Sequence, residues 1–299
     1  MSTAVIRAKF DKNRSFCHHG RVKKPLAFPV LLSLMAVSSL ISNCATVVDE
    51  INGPTVETKL HYPSNNSVVR VSGRNGATQQ FLAIRPENIK ASLVLFAGGT
   101  GDIGLSQSGS FRRGGNFLVK TRNKFAQQDM LVAVVDTPSD RSSLDHFRTS
   151  KAHAIDIRSV INWLRKTADV PVWLVGTSRG TISAAGVAGQ LTTGGPDGIV
   201  LTSTVFGPSK RGTIYGANLK AIKVPILVVH HQNDSCSVTA YSGTTRFMKS
   251  ILGASKSELI TIRGGIGNMG NSCGPKGPHG YLGQENLVVK IIADWIKAN

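Results

Sequence analysis

Ser178 stands in the pentapeptide Gly176-Thr177-Ser178-Arg179-Gly180. The apolar run "VPVWLV" precedes it and the small-residue run "TISAAGVAG" follows. A lone hydroxyl between two glycines, where a β-branched run gives way to helix formers, marks a tight strand–turn–helix. At such a turn the central side chain stands clear of the sheet. A serine there can act as a nucleophile once a base takes its proton. Histidine suits that task near neutral pH, and a carboxylate behind it fixes its tautomer. Eight histidines and 17 acidic residues are available for those roles. From the pentapeptide alone, a serine that merely caps the following helix would read the same way.

The elements that must position these residues are legible as a rhythm. "SVVRVSG" and "QQFLAIRP" alternate like two antiparallel strands. "ASLVLFA", "MLVAVVD", "PVWLVG", "DGIVLTS", "VPILVVHH" and "ELITIR" are short, nearly continuous apolar runs, suited to parallel strands buried on both faces. Helix-like segments lie between most of them. They are "NFLVKTRNKFAQQ", "LDHFRTSKAHAIDIRSVINWLRKTA", "TISAAGVAGQL", "AYSGTTRFMKSIL" and a final "ENLVVKIIADWIKA". In the second, Ile155, Val160, Ile161 and Leu164 share a face; in the last, Leu287, Ile291 and Trp295 do. The expected fold class is α/β: a mostly parallel sheet with helices on both faces, an antiparallel N-terminal edge and no large cap domain.

Gly-x-Ser-x-Gly in this setting resembles the nucleophile elbow of the α/β-hydrolase superfamily. "GTSRG", "HHQNDSC" and "GPHGYLGQE" are together similar to exported bacterial serine hydrolases of the dienelactone-hydrolase-like type. The resemblance runs from about Ala91 to Asn299. It implies a triad in the chain order nucleophile, acid, base. Between Ser178 and the last helix the acids are Asp197, Asp234 and Glu258. Asp197 sits in a turn before a strand and Glu258 opens one. Asp234 follows "VPILVVHHQN", just past a strand's C-terminal end, where open α/β sheets place their sites. Only His279 follows it. Ser178, Asp234 and His279 are therefore the expected catalytic residues. Taken singly, His279 also reads as a surface-loop histidine and Asp234 as a helix cap. The resemblance further implies an oxyanion hole from the amide of Arg179 and one in the loop "LVLFAGGTGDIG". Gly98, Gly99 and Thr100 are candidates there, Gly99 or Thr100 first. Two features depart from many relatives: there is no HGGG block, and no long insertion between "DGIVLTSTVFG" and "VPILVV". A small, openly accessible acyl pocket follows from that.

The same loop carries a rival motif. Gly99-x-Gly101-x-x-Gly104 matches a dinucleotide fingerprint. A functional one opens a helix and has an acid about 20 residues on. "LSQSGSFRRGG" follows instead, and the next strand-end acid, Asp136, lies 32 residues past Gly104. No cofactor is expected. No metal is expected either, since His230 and His231 are adjacent and point to opposite faces of a strand.

Residues 1–44 read as an export signal, basic through "RVKK" and then apolar over Pro25 to Ser42. "ISNC" leaves Cys44 open to lipidation or to loss at cleavage. Residues 45–299 then form a single domain, periplasmic, secreted or lipid-anchored. The signal holds seven of 35 Lys/Arg and one of 17 Asp/Glu, so the remainder carries +12 of the total +18. There is no run of five basic residues and no nucleic-acid motif, so the expected partner is a small ester or acyl compound. Membrane contact is expected only through the signal or a lipid. Of the four cysteines, Cys17 and Cys44 belong to the signal region. Cys236 and Cys273 remain; they flank Asp234 and His279 and should pair in an oxidising compartment. The leading function is ester or related acyl hydrolysis through an acyl-enzyme. A non-catalytic binding protein on the same fold, an acyltransferase and a peptidase are the alternatives.

Overall fold

The computed structural model describes residues 66–299. The export-signal reading of 1–44, Cys44 within it, and the expected domain start at 45 lie outside the described residues. The strands are β1 (Asn66–Ser72), β2 (Thr78–Ile84), β3 (Ala91–Phe96), β4 (Met130–Val135), β5 (Val172–Thr177), β6 (Gly198–Thr202), β7 (Ile226–His231) and β8 (Ser257–Ile262). They form one eight-stranded sheet in the order β1-β2-β4-β3-β5-β6-β7-β8. β1 and β2 form a hairpin, β2 joins β4 antiparallel, and the remaining pairs are parallel. β3 through β7 are buried at every residue, as their unbroken apolar runs require.

Among the described residues there are five α-helices, four between strands and one after β8: α1 (Phe117–Ala126), α2 (Lys151–Thr167), α3 (Gly180–Gln190), α4 (Gly243–Ser250) and α5 (Glu285–Lys297). Apolar side chains of α2, α3 and α4 pack on one face of the sheet. Those of α1 and α5 pack on the other. Two helix readings need correction. The segment from Leu144 does not start as helix: residues 145–149 form a turn, and α2 begins after Ser150, whose hydroxyl accepts the N–H of His153. Its buried face carries Ile157 rather than Ile155. On α5 the buried stripe is Val288, Ile292, Trp295 and Ile296, and Leu287 faces solvent. In both cases the apolar residues spread over more than one stripe, and only the sheet decides which stripe is covered.

From β3 the chain moves outward to β4; from there it crosses back to β5 on the opposite side of β3. The C-terminal ends of β3 and β5 thus form the switch point at which such sheets open a crevice. Phe96 pairs with Gly176 across it. The turn into α3 then packs against β3 with no room for side chains. A Cβ on Gly180 would lie 2.0 Å from the Phe96 carbonyl oxygen, and one on Gly176 would lie 2.4 Å from the carbonyl oxygen of Gly180. Both contacts are backbone and cannot yield cheaply. Gly180→Ala should therefore destabilise the chain by about 2 kcal/mol or more. A denaturant midpoint equal to wild type would contradict the contact.

Candidate active site

Ser178 occupies the turn between β5 and α3 at φ +52°, left-handed backbone that a residue with a Cβ adopts only under constraint. The constraint is visible. Its N–H donates to the Thr202 carbonyl on β6 at 2.9 Å. Its carbonyl accepts from the N–H and hydroxyl of Thr181 at 3.0 and 2.6 Å. The residue is left partly exposed at the C-terminal edge of the sheet. It lines a cavity of about 340 Å³ together with His279, Gly98, Gly99, Thr100 and Asn116.

Asp234 lies three residues past β7 and is buried. Its Oδ2 is 3.0 Å from Nδ1 of His279 and accepts the Thr239 hydroxyl at 2.9 Å. Its Oδ1 accepts the Cys236 N–H at 3.1 Å. Burial raises the carboxyl, but hydrogen bonds and charge from His230 and His279 outweigh it and hold the group well below the usual carboxylate range. An ionised carboxylate only accepts, so Nδ1 of His279 carries the proton and Nε2 is left as an acceptor. His279 itself is 6 % exposed, which answers the surface-loop reading. The other acids are engaged elsewhere: Asp197 with Arg165 and the Val172 N–H, Glu258 with the Trp295 indole.

The chain around His279 is held at several points. Cys236 and Cys273 are joined by a disulfide, as expected, which ties the acid loop to the histidine loop. The Ser203 hydroxyl donates to the His279 carbonyl at 2.9 Å. The buried Tyr281 hydroxyl accepts the Ser203 N–H at 3.0 Å and donates to the Val229 carbonyl at 2.8 Å. Burial raises that phenol, so it stays a donor. Thr239, Ser203 and Tyr281 were not readable as site residues. Tyr281 sits two residues past His279 in "GPHGYLGQE", but only the folded chain brings its hydroxyl to the ends of β6 and β7.

The amides of Gly99, Thr100 and Arg179 donate to no partner among the described residues, which leaves them able to meet a ligand oxygen. Gly99 and Thr100 line the cavity; Arg179 opens the turn into α3. The rival dinucleotide motif has another role. After Gly104 the chain forms an isolated bridge between Leu105 and Phe111, not a helix. Asp136 accepts the N–H groups of Ile103 and Leu105 at 2.9 and 2.7 Å, so it braces that loop. His230 and His231 diverge as expected: the first bonds the Thr239 carbonyl at 2.7 Å, the second the Gly264 carbonyl at 2.9 Å.

Two measurements test this arrangement. Because the folded Asp234 carboxyl titrates below its unfolded value of about 3.9, its stabilisation is complete above that pH and is lost as pH falls further. Asp234→Asn should flatten the acid limb of a Tm-against-pH curve below pH ~4; an unchanged limb would contradict the shift. The disulfide spans 37 residues. Its reduction should cost about 4 kcal/mol and speed hydrogen exchange over residues 263–283 before the sheet. Alkylation of both cysteines without prior reduction would rule the bond out.

No family model and no curated protein sequence matches this chain. Solved structures do. Dienelactone hydrolase from Anabaena variabilis is 13 % identical, with 80 % of this chain and 99 % of that one covered and a TM-score of 0.56. Carboxylesterase CesB from Bacillus subtilis is 14 % identical over 80 % and 94 %, at 0.53. One of two fungal esterases from Rhizomucor miehei is 14 % identical over 83 % and 86 %, at 0.55. The sheet order, its antiparallel edge, the helices on both faces and these likenesses agree: the chain has the α/β-hydrolase fold.

Proposed function

We propose that the chain is a serine hydrolase that cleaves an ester or related acyl bond through an acyl-enzyme. One observation carries the reading: Ser178, on strained backbone, and His279, backed by a buried carboxylate, open onto the same cavity. In this reading Ser178 Oγ attacks the substrate carbonyl while Nε2 of His279 takes its proton. Asp234 holds the tautomer and stabilises the imidazolium. The carbonyl electron pair moves to the oxygen, facing the amide of Arg179 and one from Gly99 or Thr100. Collapse expels the alcohol, which takes the proton from His279. Water then attacks the acyl-enzyme with the same histidine as base, and Ser178 is released with the acid product.

The cavity wall includes the small residues Ala97, Gly98, Gly99, Gly115 and Gly280, with Ile103 and Phe117 as apolar surface and Asp102 and Arg113 as charged groups. About 340 Å³ is near the lower end for a small-molecule site. That supports a short or compact acyl group, and the hydrolase and esterase names of the structural neighbours support cleavage of an ester or related acyl bond. The Cys236–Cys273 disulfide supports an exported location.

Ser178→Ala should abolish turnover of p-nitrophenyl esters, by about 10⁴-fold or more, while leaving circular dichroism unchanged. Wild type should react with a fluorophosphonate at Ser178 and prefer acetyl or butyryl over dodecanoyl esters. Turnover retained by the variant would refute the nucleophile. A wild-type chain inert to both esters and fluorophosphonate would favour a binding protein on this fold.

A further inference from the structure

Arg148 lies between β4 and α2 and is 2 % exposed. No carboxylate of the described residues lies within ion-pair distance of it. Asp145, whose charge reaches it, is itself paired with Arg211 at 3.4 Å. Burial pushes the Arg148 guanidinium down to about 9, so it stays charged at neutral pH. A buried cation without a counter-ion is costly. Its retention calls for a reason, and its hydrogen bonds supply one. Nη1 donates to the Ser183 hydroxyl on α3 at 2.8 Å, and Nη2 donates to the Gly99 carbonyl at 3.0 Å.

Gly99 is the second residue of a turn, Gly98 to Gly101, closed by Gly101 N–H to the Gly98 carbonyl at 3.2 Å. A turn of this kind leaves its central peptide unbonded, and the turn type decides which way that peptide faces. Here the central peptide joins Gly99 to Thr100, with Gly99 at φ +61°. A trans peptide is planar, with C=O and N–H on opposite sides. Holding the Gly99 carbonyl on the buried guanidinium turns the Thr100 N–H the other way. Gly99 and Thr100 line the cavity shared with Ser178 and His279; Arg148 does not. The following peptide is also held, by Leu144 N–H on the Thr100 carbonyl at 2.7 Å. Glycines make room for the arrangement. A Cβ on Gly101 would lie 3.1 Å from Arg148 Nη2, and one on Gly186 would lie 2.5 Å from the Arg148 carbonyl.

We infer that Arg148 is a positioning residue for the oxyanion: it presents the Thr100 N–H to the tetrahedral intermediate and places a buried positive charge behind that peptide. The inference rests on the serine-hydrolase reading and selects Thr100 over Gly99 as the loop donor. Guanidinium, carbonyl, amide and oxyanion form one hydrogen-bonded series, in which the cation polarises the peptide and strengthens its N–H as donor. No proton moves along it. The benefit arises only when charge develops on the substrate oxygen, so it falls on kcat rather than on ground-state binding.

The test uses the full chain as wild type, Ser178→Ala, Arg148→Met, Arg148→Lys and Ser183→Ala. Each is assayed for kcat and KM on p-nitrophenyl acetate and for affinity for a trifluoromethyl ketone, which forms a tetrahedral adduct on a serine. Active sites are counted with fluorophosphonate. Arg148→Met should lower kcat by about 10²-fold or more, leave KM within threefold, and weaken the ketone in step. Arg148→Lys keeps the charge but not both anchors and should fall between. If Arg148→Met does not fold, Ser183→Ala, which removes one anchor, should still lower kcat and ketone affinity together by about tenfold. Folded Arg148→Met with kcat and ketone affinity within threefold of wild type would overturn the inference, as would a loss of Tm alone. Wild type inert to ester and probe would remove the hydrolase reading and this one together. An active wild type, a dead Ser178→Ala and an unaffected Arg148→Met would remove this one alone.

Discussion

The contact on which the site depends is between backbones. Gly180 approaches β3 so closely that one added carbon would sit 2.0 Å from the Phe96 carbonyl. That approach brings the start of α3 over the switch point between β3 and β5, and it leaves Ser178 no relaxed conformation. The positive φ of Ser178 follows, sustained by bonds to Thr202 and Thr181. Strain of this kind costs of order 1–3 kcal/mol. The parallel sheet beneath it, buried on both faces, is what offsets the cost. The turn therefore belongs to the global fold and cannot loosen without disturbing β3, β5 and α3 together.

The histidine side faces the opposite problem. "GGIGNMGNSCGPKGPHG" is rich in glycine, and ordering each residue costs about 1–2 kcal/mol of backbone entropy. Four attachments offset that cost, drawn from the end of β6, from β7 and from the acid loop after it. The disulfide ties the loop to the acid loop after β7. Ser203, at the end of β6, takes the His279 carbonyl, and Tyr281 bridges to Val229 on β7. Asp234 takes the ring. His279 is thus fixed in both backbone and side chain, although its own segment has almost no regular structure.

The two sides carry opposite charge. Asp234 is buried and ionised beside His279. Arg148 is buried and charged behind the loop of Gly99. In the proposed reaction negative charge appears on the substrate oxygen and positive charge on His279, so each buried group faces the charge it can stabilise. Both are preorganised, and neither needs solvent to reorient during reaction.

The sequence by itself determined the sheet, its antiparallel edge and the three chemical residue types, because their signals are local. Buried parallel strands read as apolar runs, a glycine-flanked serine reads as a turn, and cysteine counting left one pair. It could not say which stripe of α2 or α5 is covered, since both carry apolar residues on more than one line. Nor could it find Thr239, Ser203, Tyr281 or Arg148. Each acts through polar contacts with residues 35 or more apart in the chain, or, for Thr239 on Asp234, within a loop of no periodic pattern. Periodicity reports on burial against a surface, not on the partner of a hydrogen bond. Only the packed structure decides that partner, because the direction of a hydrogen bond is set where elements distant in sequence meet.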